Sequence, residues 1–146
     1  MDSYEKCLDN LCSVSTSLNN YLSSLPAESW HKPSGCDRWQ VADVSAHLVF
    51  GAESYVSSVS RGVQGDPSPP PGRMPDGSDA AGFSAERIAS GAITASVRLG
   101  DQLLPTSKAT DRQLYTLLAG LNQPDRDRPC YHGGSNWRWA AVSGGR

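Results

Sequence analysis

The side chains in this sequence best suited to metal or nucleophilic chemistry are its three histidines and four cysteines. His47 sits on an apolar helical face, beside Leu48 and one turn from Val44 and Gly51. An imidazole aimed into a helical bundle is how bundle metal sites are built, with the other ligands arriving from facing helices. A lone histidine on such a face is more often a satisfied core residue. Zinc also needs three or four ligands, so His47 alone holds no ion. His31 and His132 lie in two loops, beside Trp30 and Tyr131. Solvated loop histidines are the favoured reading, because a set of His31, His47 and His132 requires both loops to cover one end of the bundle.

The cysteines are Cys7, Cys12, Cys36 and Cys130, and no two form a C-x-x-C pair. Cys7 and Cys12 fall within a helical apolar pattern, where a small buried hydrophobe is the expected role. Cys36 is a loop thiol close to Arg38, whose charge favours the thiolate; a reactive cysteine there is the minority reading. Neither a G-x-S-x-G nucleophile turn nor a phosphate-cradling glycine loop occurs. Glu53, six residues beyond His47, points to another face and is expected in solvent.

These residues must be positioned by helices. Tyr4, Leu8, Leu11, Val14, Leu18, Tyr21, Leu22 and Leu25 recur at steps of three and four and make one stripe. Asp2 or Ser3 caps its start, with Glu5 placed for a capping box, and Pro26 closes it. A second helix is expected from about Trp39 to Gly62, with Val41, Val44, Leu48, Gly51, Tyr55 and Val59 as its buried seam. Residues 63–82 include GDPSPPPGRMPDG, too rich in Pro and Gly for regular structure, and read as a long surface crossover. A third helix begins after the N-cap Ser84, buries Ile88, Ala92, Ala95 and Leu99, and is expected to kink or break at Pro105. Its pattern resumes at Leu114, Leu117, Leu118 and Leu121.

An internal similarity extends this scheme. LSSLPAESWHKPSGCDRWQVADV, from Leu22, aligns with LAGLNQPDRDRPCYHGGSNWRWAAV, from Leu118. Each ends a helix on Leu-x-x-Leu, meets a proline (Pro33, Pro129), passes a Gly-containing loop and reaches Trp. The order is helix, loop, helix, crossover, helix, loop, with a fourth helix due near Trp139, where the sequence runs into AAVSGGR. The expected fold is all-α: an up-down bundle with one long crossover whose fourth helix is cut short. Residues 1–134 form the domain and 135–146 a divergent tail.

Net charge of −2 and a pI near 5.8 give no basic field for nucleic acid or anionic lipid. The opening MDSYEKCLDN lacks the basic-then-apolar pattern of a signal peptide, and no apolar run reaches membrane-span length. A cytoplasmic protein with reduced thiols is expected.

At CDRWQVADVSAHL the pattern becomes specific. Cys36, Trp39, Val41, Asp43, Val44, His47 and Leu48 resemble the second-helix motif of the DinB-like superfamily. The closest likeness is to the metal-binding N-terminal domain of mycothiol-dependent maleylpyruvate isomerases. LPAESWHKP is similar to that family's lead-in, and LLAGLNQPDRDRPCYHGG to the loop before its last helix. The resemblance implies a four-helix bundle holding a divalent metal, most often zinc, with His47 as first ligand. It implies two further ligands on the last helix, a Glu or His and then a His four residues later. After Gly134 this sequence reads SNWRWAAVSGGR, which has neither. Gln40 also stands where a Ser or Thr cap is common. The implied activity is isomerisation or group transfer on a small-molecule substrate, using a low-molecular-weight thiol activated at the metal. The alternatives are a non-catalytic interaction module and an inactive truncated product. An open bundle seam exposing Leu48, Tyr55 and Ala92 would favour homodimers.

Overall fold

The computed structural model describes residues 2–71, 85–132 and 135–138. Its architecture is an all-α helical bundle. Helix α1 spans Ser3–Ser24, α2 Val41–Val63, α3 Ala85–Leu99, α4 Leu103–Ala119 and the short α5 Gln123–Arg126. Strands β1 (Pro129–His132) and β2 (Ser135–Arg138) follow as an antiparallel pair.

Helix α1 starts as its sequence dictates. Asp2 accepts from the Glu5 N–H at 2.7 Å, and Glu5 reaches back to the Asp2 N–H at 3.0 Å. It stops at the extended Leu25, which Pro26 excludes from helical geometry. Its buried stripe is narrower than expected. Tyr4, Asn19 and Leu22 are buried, with Leu8 and Leu11 packed against the core, whereas Val14 and Tyr21 are 67% and 62% exposed. Cys7 and Cys12 are exposed too, correcting their reading as buried hydrophobes.

Helix α2 covers the expected span but turns a different face inward. Ala46, Val49, Ala52 and Val59 are buried; of the anticipated seam only Val59 is. Leu48 and Tyr55 face outward instead. The helix carries two apolar stripes, 44/48/51/55 and 46/49/52/56/59, and periodicity alone cannot choose between them. The partners choose: Ala46 and Val49 cluster with Leu103, Ala95 and Leu99, and Ala52 and Val59 with Leu114, Leu118 and Leu121.

Those contacts set the topology. Successive turns of α2 meet successive turns of α3 and then α4, so α2 runs parallel to both, as a long crossover requires. Helix α1 runs antiparallel to α4: the Tyr4 hydroxyl donates to the Leu118 carbonyl at 2.7 Å, and Asn19 meets Ser107 and Asp111. Helices α1 and α2 thus both pack on α4. Ala92 is buried, as its place in the α3 seam implies and contrary to its expected exposure on an open bundle face, whereas Ile88 of that seam is 37% exposed.

The break in the third helical segment falls at Gly100, not Pro105. Gly100 takes a φ of +51° and opens a 3-10 turn over Gly100–Gln102, a conformation glycine adopts without steric cost. Pro105 lies in the first turn of α4, where its missing N–H has no helical partner to lose. The crossover starts from the end of α2, where Arg61 pairs with Asp66 at 2.8 Å and also donates to Ser68. The Ser84 cap and the helix expected near Trp139 lie outside the described residues.

The segment after α4, expected to be a loop, is partly ordered. Asn122 caps α5, and Cys130 pairs with Trp137 across the β-ribbon. The intervening Gly133-Gly134 is the sequence signal for such a hairpin. Strand β1 lies against α2 so closely at Gly62 that a side chain there would stand 2.7 Å from the Pro129 carbonyl oxygen. The two halves of the internal similarity agree in one respect. Pro33 bridges Gln40 in antiparallel fashion just as Pro129 pairs with Arg138.

Candidate functional site

The quoted motif folds into a closed loop feeding the first turn of α2. Ser34 holds it through two bonds to the Trp39 carbonyl oxygen, from its N–H at 3.0 Å and its hydroxyl at 2.7 Å. The Cys36 N–H donates to the Ser34 hydroxyl oxygen, leaving the Cys36 side chain exposed. Arg38 has a φ of +71°, unusual for a residue with a side chain, and this turns the chain sharply ahead of Trp39. The Arg38 guanidinium grips Glu86 of α3 with two bonds, at 2.6 and 3.2 Å. That bond holds the Glu86 carboxyl below the usual carboxylate range and raises Arg38 further.

Trp39 connects the loop to both neighbouring helices. Its indole N–H donates to the Ala89 carbonyl at 3.3 Å, and its ring stands 5.1 Å from the His47 ring at a 42° tilt. His47 is half-buried against this indole. One turn earlier, the buried Asp43 accepts from the Gln40 N–H at 2.9 Å and from the buried Ser96 hydroxyl of α3. Asp43 thus caps α2 and fastens it to α3, offsetting the absence of a Ser or Thr at position 40.

The other candidates are not drawn to this point. His31 ends the 3-10 turn Ala27–His31 and is exposed, and Glu53 is exposed on α2 as expected. The backbone of His132 belongs to β1, while its side chain lies outside the described residues, so the His31, His47 and His132 set falls partly beyond them. Cys130 is buried, and burial pushes its thiol pKa up, making it a poor thiolate. Among the described residues no group of three or more His, Cys, Asp or Glu side chains could hold a metal ion. The donors near His47 among the described residues are therefore too few for a closed zinc centre. What the site does offer is an aromatic-backed imidazole at the mouth of the α2–α3 seam.

The Arg38–Glu86 clamp and the Asp43–Ser96 bond had no counterpart in the sequence reading. Asp43 and Trp39 lie in the motif, but nothing there names their partners on a helix beyond the crossover. No described helix is long and apolar enough to cross a membrane. No curated protein and no solved structure matches the chain. The family model for the mycothiol maleylpyruvate isomerase N-terminal domain matches residues 13–119, spanning the motif, α2, α3 and α4, and the chain belongs to that family.

Proposed function

We propose that this chain is a metal-binding domain of the mycothiol maleylpyruvate isomerase type in which His47 is the first ligand of a weak divalent-metal site. Zinc is the metal that the resemblance implies, and it readily takes an imidazole ligand. The observation that carries the reading is the position of His47 on α2, half-buried and backed by Trp39, at the histidine of the family motif. Weakness follows from the donor set, since the described residues form no group of three donors around it. Thiol-dependent isomerase or transferase activity on a small molecule is the chemistry that the resemblance of the motif implies. A metal held at His47 would supply the positive charge that favours a small thiol's thiolate form, so activity of that type would fall with the metal's occupancy. A cytoplasmic setting, where thiols stay reduced, accords with the exposed Cys7, Cys12 and Cys36.

The test is zinc retention. The purified chain is expected to lose zinc on desalting and to show no thiol-dependent isomerisation with zinc and mycothiol added. One zinc per chain, retained through desalting and lost in His47→Ala, would overturn the weak-site reading, and His31 and His132 would be the next positions to replace. Weak zinc uptake that is unchanged in His47→Ala would instead remove His47 from the site. A non-catalytic self-associating module is the second reading, favoured by the outward Leu48 and Tyr55 on α2.

A further inference from the structure

Away from His47, a cleft of about 270 Å³ runs between α1 and α4. Thr16 and Asn20 line its α1 wall, and Lys108, Asp111, Arg112 and Tyr115 line its α4 wall. Its floor is fixed. Asn19 is buried, donates to Asp111 at 2.8 Å and accepts from the Ser107 hydroxyl at 2.9 Å, so both ends of its amide are used. Asp111 is thereby held in place with its carboxylate at the cleft. Lys108 and Arg112 differ: among the described residues neither has an ion-pair partner.

An unpaired lysine and arginine one helical turn apart, about 6 Å along the axis, suit two carboxylates joined by a short chain. The fixed Asp111 carboxylate on the same wall repels a bare anion but accepts a hydrogen bond from a hydroxyl or ammonium group. We propose that this cleft binds a four-carbon dicarboxylate carrying a hydroxyl or amino substituent, with Lys108 and Arg112 taking the carboxylates and Asp111 the substituent. Thr16, Asn20 and Tyr115 supply further polar groups around it. A cleft of this volume lies just below the usual range for drug-sized ligands, which agrees with a ligand of only four carbons. The site is independent of His47 and of any metal.

Titration of the full chain with L-malate, L-aspartate and succinate, followed by amide chemical shifts, tests the assignment. Malate or aspartate is expected to give saturable shifts confined to α1 and α4. Succinate, which lacks the donor, should bind about tenfold more weakly, the loss expected for one buried hydrogen bond left unmade. Lys108→Gln with Arg112→Gln should abolish the response while the melting temperature holds, since both side chains are exposed. Adding 0.5 M KCl to the parent should weaken binding without any substitution, because the attraction is between partly exposed charges. His47→Ala should leave it unchanged. Absence of a saturable shift with any of the three acids overturns the proposal, as does a response that survives the double substitution. Succinate binding as tightly as malate overturns the role given to Asp111.

Discussion

The Tyr4 side chain joins α1 to the end of α4 and to α5. Its hydroxyl donates to the Leu118 carbonyl in a buried setting, and the Arg126 guanidinium lies 3.7 Å over its ring. Burial raises its pKa above 10.0, against an opposing pull from Arg126. The raised value means that stability from the neutral phenol is complete below pH 10 and is lost as pH climbs through the folded-state value. Tyr4→Phe is therefore expected to cost roughly 1 kcal/mol near neutrality, the usual net worth of one hydrogen bond, since the Leu118 carbonyl keeps the Leu121 N–H. The gap between parent and variant should narrow as melts are repeated from pH 8 toward pH 11. A constant gap would show that the phenol does not ionise in the folded range. Asp43 and His47 were both readable in the motif, but their uses were not. Asp43 proves to be a cap and a cross-helix bond to Ser96, which depends on a partner 53 residues away. His47 rests on an aromatic ring whose position depends on the strained turn at Arg38.

The boundaries of α1 and α2 were legible because their caps and Pro26 act locally. Pro105 misled because a proline is also at home in a helix's first turn. The α1 capping box and the stop before Pro26 appear as the residues specify. Faces were less legible, since which side of α2 is buried depends on α3 and α4, and both sides of α2 are apolar. The two α2 glycines make the assigned face testable. Gly51 has nothing within 4 Å of an added Cβ, whereas at Gly62 such an atom would meet the Pro129 oxygen at 2.7 Å and the Cys130 Cβ at 2.8 Å. Gly51→Ala should therefore stabilise the chain by up to about 1 kcal/mol through helix propensity. Gly62→Ala should destabilise it by about 1–3 kcal/mol, because backbone of β1 cannot move aside cheaply. Chemical denaturation of both variants reads the signs. A destabilising Gly51→Ala would mean that something packs on the outward face of α2.

At the scale of the whole molecule, α4 is the common support on which α1 and α2 both pack. The arrangement leaves large apolar side chains outward on each: Val14 and Tyr21 on α1, Leu48 and Phe50 on α2. Scattered exposed apolar groups are ordinary, but a band of them along one helix favours association. Leu48 and Tyr55 stand two turns apart on one side of α2, so a second copy packing there about a two-fold axis would bring the same residues together from both chains. The expected outcome is a concentration-dependent dimer in sedimentation velocity. Leu48→Glu would bury two carboxylates at such a contact and should weaken the dimer at least tenfold, about 1.4 kcal/mol or more. Val97→Glu is the control, because Val97 is 78% exposed on α3 and lies outside the α2 band. A monomer at every concentration, melting sharply and cooperatively, would contradict the dimer. Equal weakening by the two substitutions would place the contact elsewhere and attribute the effect to added charge alone.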